Sequence, residues 1–166
     1  DNDGYDFVAG AEIDLSGVTF GEVFAGYRNI DYADNVFDTQ DGFTFGATLD
    51  WNLTGLTTVR VGAAQRLLGT TVDGASGIES TEFEIGVDHE LLRNLILSLA
   101  YQYDDQDFLN IDRTDDFKRV IFSGEYFLSR RWVINGGYIY QNRESDDPDG
   151  DQFSISQVYL GFKARI

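Results

Sequence analysis

Apolar and polar residues alternate with a period of two along almost the whole chain, and that period sets the element type. Tyr5, Phe7, Ala9, Ala11, Ile13 and Leu15 are interleaved with Asp6, Gly10, Glu12 and Asp14. Phe43, Phe45, Ala47, Leu49, Trp51 and Leu53 alternate in the same way with Thr44, Gly46, Thr48, Asp50 and Asn52. The pattern returns in Leu95, Leu97, Leu99, Tyr101 and Tyr103, in Trp132, Ile134, Gly136, Tyr138 and Tyr140, and in Val158, Leu160, Phe162, Ala164 and Ile166. It predicts nine strands, near 5–15, 21–31, 43–53, 57–67, 81–91, 95–103, 117–127, 132–143 and 153–166. The second, fourth, fifth and seventh alternate less cleanly.

Three features of the pattern point to a membrane. Several segments reach about 11 residues, the length of a tilted strand that crosses a bilayer core, whereas soluble strands average about 5 or 6. The connections near Ser16-Gly17, Thr54-Gly55, Leu92-Arg93-Asn94 and Ser129-Arg130-Arg131 are short, while those spanning 32–42, 68–80, 104–116 and 144–152 are longer and mostly acidic. Short turns on one rim and long loops on the other describe an outer-membrane barrel with the long loops outside the cell. Aromatics of the apolar parity fall at two levels, with Trp51, Tyr126 and Trp132 beside the short turns. Tyr5, Phe7, Tyr27, Phe43, Tyr101, Tyr103, Tyr138 and Tyr140 lie toward the long loops, and aliphatic or small residues lie between. Two such levels match the interfacial girdles of a membrane barrel. The expected fold is an all-β, membrane-spanning, antiparallel up-and-down β-barrel, with residues 1–166 a single domain.

Bulk composition alone would mislead. Apolar residues make up 42% of the chain, and no stretch approaches the run of about 18 that a membrane helix needs. Aromatics at 14% and 18 glycines beside one proline suit paired strands joined by turns instead. A net charge of −17 repels a phosphate backbone, which argues against nucleic acid as a partner. Without cysteine there is no disulfide framework, thiolate metal site or cysteine nucleophile. The chain begins Asp1-Asn2-Asp3-Gly4, so either a signal was removed or the sequence is a piece of something longer.

The stretch Ala25-Gly26-Tyr27-Arg28 with Tyr32 following, and Gly137-Tyr138-Ile139-Tyr140 followed by Arg143-Glu144-Ser145, resembles the putative β-barrel porin 2 family. Val158-Tyr159-Leu160-Gly161-Phe162 is similar to it as well. The resemblance spans the chain and corresponds to the C-terminal part of a longer family barrel. It implies a Gram-negative outer-membrane channel, sometimes associated with exopolysaccharide systems. Ile166 departs from the pattern, since barrels of this kind usually end in an aromatic residue.

Nine strands with a periplasmic C-terminus would start strand one outside the cell and leave two open edges, which bacterial barrels avoid. The expectation is therefore part of a larger barrel, closed by N-terminal strands not present here or by other copies of the chain. On its own it should aggregate at those edges. The other expected partners are outer-membrane lipid and lipopolysaccharide; no cofactor is implied.

Residues of the polar parity are the expected lumen-facing set. Arg28, Arg66, Arg119 and Arg143 fall toward the extracellular end, with Glu82 among them. Glu12, Asp14, Asp50, Asp88 and Glu125 fall toward the periplasmic end, with Arg60, Lys163 and Arg165. A basic ring facing an acidic wall would select solutes through a transverse field; alternatively, these side chains pair and brace the wall. Phe24, Ile96, Ile121, Val133 and Ile139 share this parity and hint at a packed or plugged region. The expected function is a passive path for polar solutes or exopolysaccharide. The alternative is a plugged structural or display barrel whose acidic loops bind a partner.

Enzyme chemistry has no visible footing. His89, the single histidine, has apolar parity beside a turn and reads as interfacial structure. No serine–histidine–aspartate arrangement is legible, and Glu82 and Glu84 are merely two apart on one face. Glu144, Asp146, Asp147, Asp149, Gly150 and Asp151 superficially resemble a calcium loop, but the spacing and terminal bidentate glutamate are missing. A solvated acidic loop is the expectation, with no metal ligand assigned.

The parity assignment is directly testable. Arginine at Ala47, Leu97, Leu99, Ile134 or Leu160 should block insertion or destabilise by about 2–4 kcal/mol near the midplane. Arginine at Thr48 or Ser98 should be tolerated far better in the same folding assay. Equal tolerance at both sets of positions would defeat the assignment.

Overall fold

The computed structural model describes residues 2–32, 40–147 and 150–164, with side chains for all of these except 2, 3, 30–32 and 40. Nine strands run up and down in chain order: β1 (Asn2–Ser16), β2 (Thr19–Tyr32), β3 (Gln40–Thr54), β4 (Thr57–Leu68), β5 (Gly77–Leu92), β6 (Leu95–Leu109), β7 (Thr114–Phe127), β8 (Trp132–Ser145) and β9 (Phe153–Ala164). Each pairs antiparallel with the next in a single sheet, so β1 and β9 are its edges. No helix is present among the described residues.

All nine expected strands are found, and several are longer than the alternation indicated. β6 is the main correction: it continues past Tyr103 to Leu109, through Asp104, Asp105, Gln106 and Asp107. The 104–116 connection shrinks to 110–113, closed by Asn110 in the left-handed region (φ 72°), which asparagine tolerates better than most residues. The long acidic connection expected there is thus a strand extension and a tight turn. Acidic residues hid it because their backbone ladder carries no hydrophobic signal.

The short turns at Gly17-Val18, Gly55-Leu56 and Arg93-Asn94 are copies of one device. In each, the register slips by one residue just before the turn, between Asp14 and Ser16, Asn52 and Thr54, and Glu90 and Leu92. The extra residue is a leucine every time: Leu15, Leu53 and Leu91. A bulge of this kind tightens strand twist and bends the sheet. The second turn residue then accepts a backbone hydrogen bond from the adjoining strand, Asn52 N to Val18 O, Glu90 N to Leu56 O and Phe127 N to Asn94 O, each 2.8 Å.

Register carries the alternation across the whole sheet. Val23, Ala47, Ala63, Phe83 and Tyr103 form one apolar row from β2 to β6, and Val59, Val87, Leu99, Phe122, Tyr138 and Val158 form another from β4 to β9. No second layer covers this face: Phe7, on it, is 77% exposed and Leu160 83%. All eleven girdle aromatics (Trp51, Tyr126, Trp132, Tyr5, Phe7, Tyr27, Phe43, Tyr101, Tyr103, Tyr138 and Tyr140) share this face. Trp132 stacks on Phe162 at 5.0 Å between centroids, and Tyr27 meets Phe43 edge-on at 5.4 Å. Beyond Tyr103 the face turns charged, with Asp105, Asp116 and Glu144 in one row. Strand ends therefore project past the apolar band.

On the opposite face, two aromatic rings lie against glycines. A Cβ at Gly46 would meet the Phe24 ring at 2.6 Å, and one at Gly137 would meet the Tyr159 ring at 2.9 Å and the Phe122 carbonyl at 2.5 Å. Gly62 has no such neighbour, with Thr48 Cγ2 nearest at 3.6 Å. Gly137→Ala should therefore lower thermal stability in detergent by about 1–3 kcal/mol, the usual cost of overpacking. Gly62→Ala should change it little. Equal melting temperatures for the two variants would show that the β8–β9 wall yields freely.

Candidate functional site

The polar face lines two troughs, one of about 710 Å³ against β2–β8 and one of about 560 Å³ nearer the short turns. Nine of the ten expected lumen residues lie on this face by register: Arg28, Arg66, Arg119, Arg143, Glu82, Glu12, Asp50, Glu125 and Lys163. Arg165 lies outside the described residues, as do Asp1, Asp149 and Ile166. Carboxylates outnumber cationic side chains on the face as a whole.

The four arginines do not form one ring. Arg66, Arg143 and Arg119 occupy three successive rungs: Arg66 with Ser80, Gln106 and Asp115; Arg143 with Phe117, Asp104 and Glu82; Arg119 with Gln102, Glu84 and Gln141. Arg28 approaches Asp6 at 3.6 Å and donates to the Leu67 carbonyl at 2.9 Å. Arg66 sits 3.2 Å from Glu82, and Arg143 donates to Asp115 at 2.6 Å. Of the four, Arg119 alone has only neutral oxygens as partners, those of Gln141 and Gln102.

Nearer the short turns the charges also pair. Arg60 lies between Asp50, at 3.4 Å, and Asp88. Lys163 reaches Glu125 at 2.7 Å. Glu12 faces Glu22, a like charge, across the β1–β2 ladder. His89 sits on the apolar face, where its Nδ1 is 2.9 Å from Thr57 Oγ1.

A buried cluster at the long-connection rim was not legible beforehand. Leu67, Ala75, Ser76, Ser80, Phe108 and Asp115 are all buried there. Arg113 lies over the Phe108 ring at 4.5 Å and joins Asp115 at 2.8 Å and Asp147 at 3.8 Å. Ser80 donates to Asp104 at 2.6 Å. Asp146, in the stretch resembling a calcium loop, accepts from the Thr114 backbone N–H at 2.7 Å. Burial would raise the Asp115 carboxyl, but hydrogen bonds from Arg113, Ser145 and Arg143 outweigh it and hold the group down to about 2. The alternation gave no advance signal of it, because Asp115 fell in the 104–116 stretch expected to be a connection.

The profile of the putative β-barrel porin 2 family matches residues 1–166. The chain belongs to that family. Among solved structures it is similar to OmpT (in-vitro folded), an outer membrane protein of Vibrio cholerae, with a TM-score of 0.70 at 17% identity. That match covers 95% of this chain and 48% of the other, so the chain spans about half the length of that relative. The trimer form of Vibrio cholerae OmpT matches with a TM-score of 0.61 at 12% identity, over 98% of this chain and 76% of the other. No curated protein matches the sequence. The family and the shared fold place the chain in the bacterial outer membrane as a porin-like barrel.

Asp115 sits beyond the apolar band, so it titrates against water. Its folded value lies below the ordinary 3.8, so its contribution is complete above about pH 4 and is lost as pH falls through about 2. Asp115→Asn should cost about 3–5 kcal/mol at neutral pH, because it removes the buried carboxylate that the partly buried Arg113 and Arg143 share. It should also speed hydrogen exchange at Ser76 and Phe108, whose N–H groups bond to the Leu109 and Arg113 carbonyls. The wild-type advantage should shrink between pH 4 and 2. A gap independent of pH over that range would assign the stabilisation to other groups.

Proposed function

We propose that this chain forms part of the wall of a passive path for polar solutes, with the polar face toward a water-filled lumen and the apolar face toward lipid. One observation carries the reading: across nine strands in continuous register, one face is ion pairs and amides lining open troughs, and the other is bare aliphatic and aromatic surface. Lipid is the solvent that makes the second face stable, and water the one that suits the first. The longer connections then lie outside the cell and the short turns in the periplasm. Membership of a porin family supports a channel rather than an enzyme.

Excess carboxylate on the wall should favour cations over anions. Exopolysaccharide, the other cargo implied by the resemblance, would meet the same amides and the rings of Phe24 and Tyr159. The scaffold alternative draws support from the buried rim cluster, which occupies part of the polar face between β4 and β8.

Planar-bilayer recording on the full-length protein decides between these readings. A steady open current with reversal potentials on the cation side is the expected result. Silence from a folded, detergent-stable barrel would overturn the solute path and leave the scaffold.

A further inference from the structure

Pairing strips most of the cations on the polar face of any role in recognition. Arg28, Arg60, Arg66, Arg143 and Lys163 each lie within salt-bridge distance of a carboxylate. Among the described strand residues of this face, Arg119 is the one cation that does not. Its guanidinium is exposed in the wall of the larger trough.

Its hydrogen bonds fix it without neutralising it. Nε and Nη2 donate to Gln141 Oε1 at 3.2 and 2.9 Å, and Nη1 donates to Gln102 Oε1 at 3.3 Å. Gln102 is itself oriented, because its Nε2 donates to Glu84 Oε2 at 2.7 Å. With nitrogen turned to Glu84, its oxygen must face Arg119. Glu84, Gln102, Arg119 and Gln141 are mutually in register across β5 to β8, so the relay is one straight rung. Three of the five guanidinium N–H groups are engaged, which leaves two for a solute. A held, uncompensated guanidinium is preorganised for a planar oxyanion.

We infer that the Glu84–Gln102–Arg119–Gln141 rung is a solute subsite, in which Arg119 receives the carboxylate of a passing organic acid and Glu84 positions the relay. The inference rests on the solute-path reading and narrows it. Within a wall that favours cations overall, this rung gives carboxylate-bearing solutes one level at which to be held. The charge is available because the partners are amides; a carboxylate at position 102 or 141 would cancel it.

Entry of gluconate and of an uncharged sugar of similar size into proteoliposomes carrying the full-length protein tests this. Arg119→Gln should lower gluconate entry relative to the sugar by about threefold to tenfold, the effect of one charge-assisted hydrogen bond partly screened by water. Arg119→Lys should restore part of the ratio, since it keeps the charge and loses the planar fork. Glu84→Gln should shift the ratio while leaving the net charge at Arg119 unchanged. The double variant Arg66→Gln with Glu82→Gln, which removes a neutral pair from the same wall, should leave it unaltered. An unchanged ratio in Arg119→Gln, or an equal change in the double variant, overturns the subsite while the path stands. If neither solute enters through the wild-type protein, the path and the subsite fall together.

Discussion

Every backbone N–H and C=O of a β-strand within hydrocarbon must find a partner in another strand, because no water is there to take its place. That constraint governs the rest of this molecule. It demands long strands in unbroken antiparallel register, and register in turn fixes which side chains share a face. Once Val23, Ala47, Ala63, Phe83 and Tyr103 are aligned outward, the residues between them have no choice but to face the other way. The charged wall is a by-product of the ladder as much as a product of the side chains.

Charges on that wall are organised by the same ladder. Neighbouring strands bring side chains of one rung within reach of each other, and carboxylates are abundant enough to find most of the cations. The outcome is a surface of short local pairs in place of separate basic and acidic halves. Where a rung supplies amides instead, the pairing fails and a charge is left exposed. Near the long connections the pairs withdraw from solvent: Asp115 is fully buried between the partly buried Arg113 and Arg143, a geometry that trades desolvation against directional bonds.

The fold was largely legible in the sequence because period two leaves a trace in every strand that has lipid on one side. Nine strands, the two parities and the aromatic levels all follow from it. The signal ends where lipid ends. β6 beyond Tyr103 reads as an acidic loop because neither of its faces there meets hydrocarbon, although its backbone remains paired. Arg143 had polar parity but Asp115 lay in an expected connection, and alternation carries no information about which rungs meet, so their pairing could not be read. The bulged leucines at 15, 53 and 91 were hidden for a related reason: a bulge leaves composition unchanged and shifts only the register.

The rings of Phe24 and Tyr159 owe their close approach to the wall to Gly46 and Gly137, which leave room for them. The calibre of the trough is thus written in residues that have no side chain. A methyl group added under either ring would tip it off the wall and into the cross-section, with the lining composition unaltered. Bore and chemistry are separable in this wall. Variants could narrow the troughs at two glycines without touching a single charge on the wall.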